Sequence, residues 1–159
     1  MVSSDAERNF AVSRRVLRGF DPTRLIQARK DKGMSRADMA RLAGLNGATV
    51  QRWESGSRSP QVDTLSLVAK ALQMSISDFV DVPEGERFPG DWRVLRGLTQ
   101  PQLGKLAGIS TSEVGRIERG EVPLTDASAK ALSRQLEISI EELRASHERA
   151  RNRPAGTPA

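Results

Sequence analysis

The chain has 159 residues, 28% of them charged and only 4% aromatic, with a net charge of +5. It contains no cysteine, which excludes a disulfide framework and a thiolate metal site and suits a reducing cytosol. No apolar run approaches the roughly 18 residues of a membrane span, and the N-terminus lacks the apolar core of a secretory signal, so a soluble, cytoplasmic protein is expected.

Over residues 1–20, Ala6, Phe10, Ser13, Leu17 and Phe20 recur at helical spacing, with Arg8, Arg14, Arg15 and Arg18 off that stripe. An amphipathic N-terminal helix packed on the first domain is expected, a basic arm or a dimer contact being the other readings. Asp21-Pro22 then opens a helix carrying Leu25, Ile26 and Arg29, because proline in a first turn loses no needed hydrogen bond. Ser35 with Asp38 forms a capping box, so a second helix starts there and buries Met39, Leu42 and Ala43. Gly44 stops it in the left-handed conformation, and Ala40 is small enough to let the next helix cross closely. Asn46 caps that third helix. Its Val50 and Trp53, three apart, face inward, and Gly47, Ala48, Gln51 and Arg52 face outward. Trp53 thereby belongs to the core rather than to a stacking surface. After Gly56 and a loop of Ser57, Arg58 and Ser59, Pro60 leads into a fourth helix with Val62, Leu65, Val68, Ala69 and Leu72 inward. A second box, Ser75 with Asp78, buries Ile76 and Phe79, and the first domain is expected to span 21–80.

Residues 81–90 (DVPEGERFPG) have the composition of a connector. Beyond it the chain repeats itself at a constant shift of 64 positions, pairing Gly33 with Gly97, Gly44 with Gly108, Val50 with Val114, Arg52 with Arg116, Glu54 with Glu118, Gly56 with Gly120 and Leu42 with Leu106. The repeat divides the chain into two units of about 60 residues, each with room for a compact helical core but not for a ligand cavity. The outward positions of the third helix change, Gly47-Ala48-Thr49 becoming Thr111-Ser112-Glu113, while Ser57-Arg58 becomes Glu121-Val122. In copy two the first helix is short, broken by Pro89-Gly90, and Asp126 and Ala129 in place of Val62 and Leu65 thin the core side of the fourth. A second domain over 91–143 and a basic C-terminal tail over 144–159 are expected, Arg144 to Arg153 as a helix end and Pro154 to Ala159 as disordered.

Arg29 to Gly33, Ser35 to Glu54 with its Ala40/Gly44 spacing, Trp53-Glu54-x-Gly56, and the closing AlaLysAlaLeu before SerIleSerAspPhe together resemble the helix-turn-helix family of phage Cro and repressor proteins, over about residues 22–80 and again 89–143. The resemblance implies an all-α protein of two tandem repressor-like domains, about five short helices each, with the extra N-terminal helix. It implies double-stranded DNA as the partner, and assigns base reading to Gly47, Ala48, Gln51 and Arg52 and to Thr111, Ser112, Gly115 and Arg116. Arg36 and Gln100 match a residue that reaches a phosphate or steadies a base contact. Asn46, Ser57 and Arg58, with Ser110 in the second copy, are candidates for register-fixing phosphate contacts. Arg29 with Glu54 and Arg93 with Glu118 resemble a family ion pair joining the first helix to the end of the third. Chemistry agrees most strongly for Arg52 and Arg116, which can each offer two parallel donors to a guanine edge.

Charge placement is consistent: residues 1–80 hold thirteen Lys/Arg against eight Asp/Glu, and residues 81–159 hold twelve of each, so the first half carries the excess. An extended 81–90 connector could reach at most about 33–36 Å, close to the roughly 34 Å between recognition helices in this family's dimers. One chain could then act as a pseudo-dimer, or two chains as a homodimer read by domain 1.

Enzyme chemistry finds no support. His147 is the only histidine and lies in the polar C-terminal stretch, so no Ser-His or Cys-His nucleophile and no two-histidine metal site can be assembled. Glu141-Glu142 is a helix-start pattern, and Gly44 to Gly47 lacks the strand context of an RNA-binding KH module. No cofactor, metal or small-molecule ligand is expected. The function expected is transcription regulation from an operator, most simply repression, by a cytoplasmic protein that joins the nucleoid when bound; the alternative is a protein-interaction module, an antitoxin or an antagonist of another regulator, on the same fold.

Overall fold

The computed structural model describes residues 17–159. The amphipathic stretch expected to be helical over 1–20 therefore lies outside the described residues as far as residue 16. Residues 17–20 form a turn leading to an extended residue instead of a helix end, with Phe20 N donating to Leu17 O at 3.1 Å and Leu17 N to Ser59 Oγ at 2.8 Å. The chain divides into two compact units, Met1–Phe79 and Val80–Ala159. Among the described residues every α-helix is short, none exceeding twelve residues.

Unit 1 contains α1 (Pro22–Asp31), α2 (Arg36–Ala43), α3 (Gly47–Glu54) and α4 (Val62–Ala71), closed by a 3₁₀ turn at Ile76–Asp78. Each start is chemically marked. Asp21 accepts from Thr23 N ahead of Pro22, Ser35 and Asp38 form the reciprocal box, and Asn46 accepts from Ala48 N. The core is the expected set: Leu25, Met39, Val50, Trp53, Val62, Leu65, Val68, Ala69, Leu72, Ile76 and Phe79 are all buried. Leu42 is the exception. It is 50% exposed, and Leu106 at the matching repeat position is 55% exposed. On α2 the inward face is filled by Met39, Ala40 and Ala43, and Leu42, one position before Ala43, turns away from it by the 3.6-residue period.

Unit 2 contains α5 (Pro89–Leu95), α6 (Gln100–Ala107), α7 (Thr111–Glu118), α8 (Asp126–Leu136) and α9 (Ile140–Arg151), after a 3₁₀ turn at Glu84–Glu86. Three expectations about its ends are corrected. Most of the 81–90 connector is part of the domain: Val82 and Phe88 are buried, Arg87 Nε donates to Val82 O at 2.9 Å, its guanidinium stacks 4.5 Å over the Trp92 ring, and Arg149 Nε donates to Arg87 O at 2.9 Å. The reach estimated for an extended linker does not apply to residues held in this way. Pro89 begins α5 rather than breaking it. The expected basic tail is mostly core-forming helix: α9 buries Leu143, Ser146, His147 and Ala150, and His147 Nε2 lies 2.9 Å from Val122 O. Beyond α9, Arg153 Nε donates to Thr157 O at 2.7 Å and holds Pro154 to Thr157 in a turn.

The weak core face expected of α8 is also made good. Asp126 sits at the helix start, exposed, and pairs with Arg144 of α9. Leu143 joins Leu103, Val114, Ile117, Leu124, Ala129, Leu132 and Leu136 in one buried cluster. Leu143 of α9 thus adds side-chain volume to the core beside the small Ala129 of α8.

Candidate nucleic-acid interface

In both units the turn between the second and third helices of the repeat is built on the left-handed glycine. Gly44 has φ +69° and Gly108 φ +70°. Leu45 N then reaches Ala40 O at 2.7 Å and Ile109 N reaches Gly104 O at 2.8 Å, satisfying the carbonyls at the end of the preceding helix. The approach is tighter in unit 2, where a Cβ added to Gly104 would lie 2.5 Å from Ile109 O. This turn aims the third helix outward.

In unit 1, burial of Val50, Trp53 and Glu54 fixes the roll of α3 and leaves Gly47, Ala48, Gln51 and Arg52 exposed. Nothing lies within 4 Å of a Cβ placed on Gly47, so the start of this helix is open. The far end is anchored by charge. Glu54, nearly inaccessible, takes Arg29 Nη2 at 2.7 Å and Nε at 2.9 Å, and on its other oxygen Arg36 Nε at 2.9 Å. Arg29 also donates to Met34 O at 2.9 Å, tying α1 to the start of α2. Arg36, expected on a phosphate, is thus first an ion-pair partner of Glu54; its side chain remains 55% exposed.

The loop after α3 turns back on the helix. Ser57 Oγ donates to Arg52 O at 3.3 Å and Ser55 Oγ to the same oxygen at 3.1 Å, and Arg58 N reaches it at 3.1 Å. The Ser57 hydroxyl expected on a phosphate is therefore spent as a donor on the helix end. Arg52 and Arg58 are exposed and have no acidic partner among the described residues.

Unit 2 repeats the anchor: Arg93 Nε lies 2.6 Å and Nη2 3.2 Å from the two Glu118 oxygens, with Gln100 Nε2 at 2.8 Å from Oε2. The outer face differs. Thr111, Ser112 and Arg116 are exposed, but Gly115, expected to face bases, is buried, a Cβ there meeting Arg119 Nη1 at 3.0 Å and Gln100 Nε2 at 3.5 Å. Ser110 Oγ accepts from Glu113 N at 3.1 Å, which engages its oxygen in capping. Arg116 has Glu113 one turn away, at 3.8 Å. Arg119 donates from Nε to Glu121 Oε1 at 2.7 Å and from Nη2 to Oε2 at 3.1 Å. That forked bond holds the Glu121 carboxyl below the usual carboxylate range and pushes the Arg119 guanidinium up. The loop is covered as well, since Arg153 Nη1 donates to Arg119 O at 2.6 Å and a Cβ on Gly120 would lie 2.6 Å from Arg151 Cα. Sequence reasoning counted Arg119 and Glu113 only in the charge balance of this face and missed the Arg119–Glu121 and Arg116–Glu113 pairs and the C-terminal cover. Arg119-x-Glu121 was a visible signal; the cover was not, because it joins residues far apart in the chain.

Two tandem all-helical units, each presenting a third helix on a tight glycine turn, define a helix-turn-helix protein. The Helix-turn-helix family model matches residues 25–79 and 91–143, together more than half the chain, and the chain belongs to that family, of the Cro/repressor type. The family is one of DNA-binding regulators and not of enzymes. Searches of the curated proteins and of the solved structures return no match. Among the described residues no helix is long and apolar enough to cross a membrane.

Proposed function

We propose that the protein is a sequence-specific regulator of transcription that occupies double-stranded operator DNA and represses by excluding polymerase, acting in the cytoplasm at the nucleoid. The observation that carries this reading is the outer face of α3: a short helix, rolled into place by Val50 and Trp53, whose exposed Arg52 has no acid to occupy it among the described residues. A guanidinium so placed can donate in parallel to guanine O6 and N7, and Gln51 beside it can pair with adenine. Gly47 and Ala48 contribute clearance rather than hydrogen bonds, Ala48 offering a methyl to thymine. Asn46, whose side-chain oxygen caps the helix, would donate its amide NH2 to a phosphate, and Arg36 and Arg58 would supply positive charge to the DNA backbone.

Selection of bound sequences from a random duplex pool by the whole protein tests the reading. Arg52→Ala should relax the preference at one base position by roughly 10- to 100-fold, consistent with about 1–3 kcal/mol for a bidentate contact. Arg36→Gln should leave that preference intact and reduce the slope of log K against log salt by about 0.9. A pool with no enriched sequence and an affinity indifferent to salt would favour the protein-interaction reading, in which the same face binds another regulator or a toxin.

A further inference from the structure

We propose that Glu121 takes, within unit 2, the place of a backbone phosphodiester, and so holds the third helix of that unit off DNA. The inference rests on the reading that unit 1 engages DNA through the matching surface.

The two units are their own control, because the same backbone carries different side chains at equivalent positions. After α3, unit 1 presents Ser55, Gly56, Ser57 and Arg58. After α7, unit 2 presents Arg119, Gly120, Glu121 and Val122. Unit 1 therefore places one positive charge on this loop, with no acid beside it among the described residues. Unit 2 has its arginine at the helix end, but the guanidinium is closed in a forked bond to Glu121, at 2.7 and 3.1 Å. A carboxylate and a phosphodiester offer arginine the same pair of anionic oxygens, so the site for the anion is already filled from within. The arginine is also laid across Gly115, covering the place where Gln51 projects in unit 1. The one remaining candidate reader with a charged side chain, Arg116, has Glu113 beside it. Finally, α9 and Arg153 lock the loop in this arrangement through Arg119 O and the Gly120 contact. A duplex approaching this face meets the Glu121 carboxylate where unit 1 offers Ser57 followed by Arg58, unpaired among the described residues.

The test measures the salt dependence of DNA binding for the whole protein and for four variants on one duplex, with folding checked by circular dichroism. Glu121→Ser, which installs the residue of the first copy, and Glu121→Gln, which keeps a hydrogen bond to Arg119 but removes the charge, should each steepen the slope of log K against log salt by about 1–2, as expected for one or two further phosphates neutralised. They should also lengthen the hydroxyl-radical footprint. Glu121→Asp, which retains the anion, should behave as the parent. The gain in Glu121→Ser should disappear when Arg119→Ala is added. Unchanged slopes in folded Glu121→Ser and Glu121→Gln overturn the proposal. If the parent protein shows no salt dependence but Glu121→Ser acquires one, the blocked face is upheld and the assignment of DNA reading to unit 1 fails instead.

Discussion

Gln73 and Glu137 occupy equivalent repeat positions at the end of the fourth helix, and both have left-handed backbones, φ 55° and 56°, without being glycine. A side chain costs on the order of 1 kcal/mol in that conformation, so Gln73→Gly should raise the stability of unit 1 by about 0.5–1 kcal/mol in urea unfolding. The gain at Glu137 should be smaller, since that substitution also removes the exposed Arg96–Glu137 pair at 2.8 Å. Glu54 is the opposite case. Glu54→Ala strands the buried Arg29 guanidinium and should cost about 3–5 kcal/mol, whereas Arg36→Gln, which copies Gln100, should change stability little. Asp38 adds a pH dependence. The hydrogen bonds from Ser35 hold its carboxyl below the ordinary value; the carboxylate therefore stabilises α2 above the unfolded-state pKa, and the effect is lost as pH falls through the lower folded value. Asp38→Asn should flatten the acid limb of helix stability followed by circular dichroism.

At the scale of elements, much of the fold was legible because the signals were local. The boxes Ser35/Asp38 and Ser75/Asp78, the left-handed Gly44 and Gly108, and the Val50/Trp53 face each depend on residues within one turn of one another, and all stand where expected. What could not be read was long-range. Leu42 looked like core because its neighbours are; only the packing of α2 shows that Met39, Ala40 and Ala43 fill the inward face without it. Residues 82–88 looked like a connector because the arginine that holds their backbone, Arg149, lies some sixty positions later, and the arginine-rich α9 carries its buried stripe of Leu143, Ser146, His147 and Ala150 among charges that hide it. The candidate interface divides likewise: the exposure of Arg52 follows from helical period alone, but the burial of Gly115 depends on an arginine and a glutamine from outside the third helix's face. Element packing also sets a limit on Gly104. Gly104→Ala pushes a methyl to within 2.5 Å of a backbone oxygen and should destabilise unit 2 by about 1–3 kcal/mol, although unit 1 carries alanine at the same place, and thermal unfolding would register the difference.

For the molecule as a whole, the true start of the second unit lies ahead of the repeat. A fragment beginning at Asp91 discards the buried Val82 and Phe88, the Arg87 stack on Trp92 and the acceptors of Arg149; it should melt well below one beginning at Val80, a comparison that calorimetry makes directly. The open, side-chain-poor beginning of α3 has a consequence of another kind. With Gly47 bare and Ala48 a single methyl, the function proposed above leaves base discrimination to Arg52 and Gln51, and two bidentate contacts would amount to about 2–6 kcal/mol of it. A chromosome offers on the order of a million or more competing positions. One such head carries too little information to address a single locus, so occupancy would concentrate only where cognate words recur close together, and the arrangement of sites along the genome, more than any one of them, would define the address.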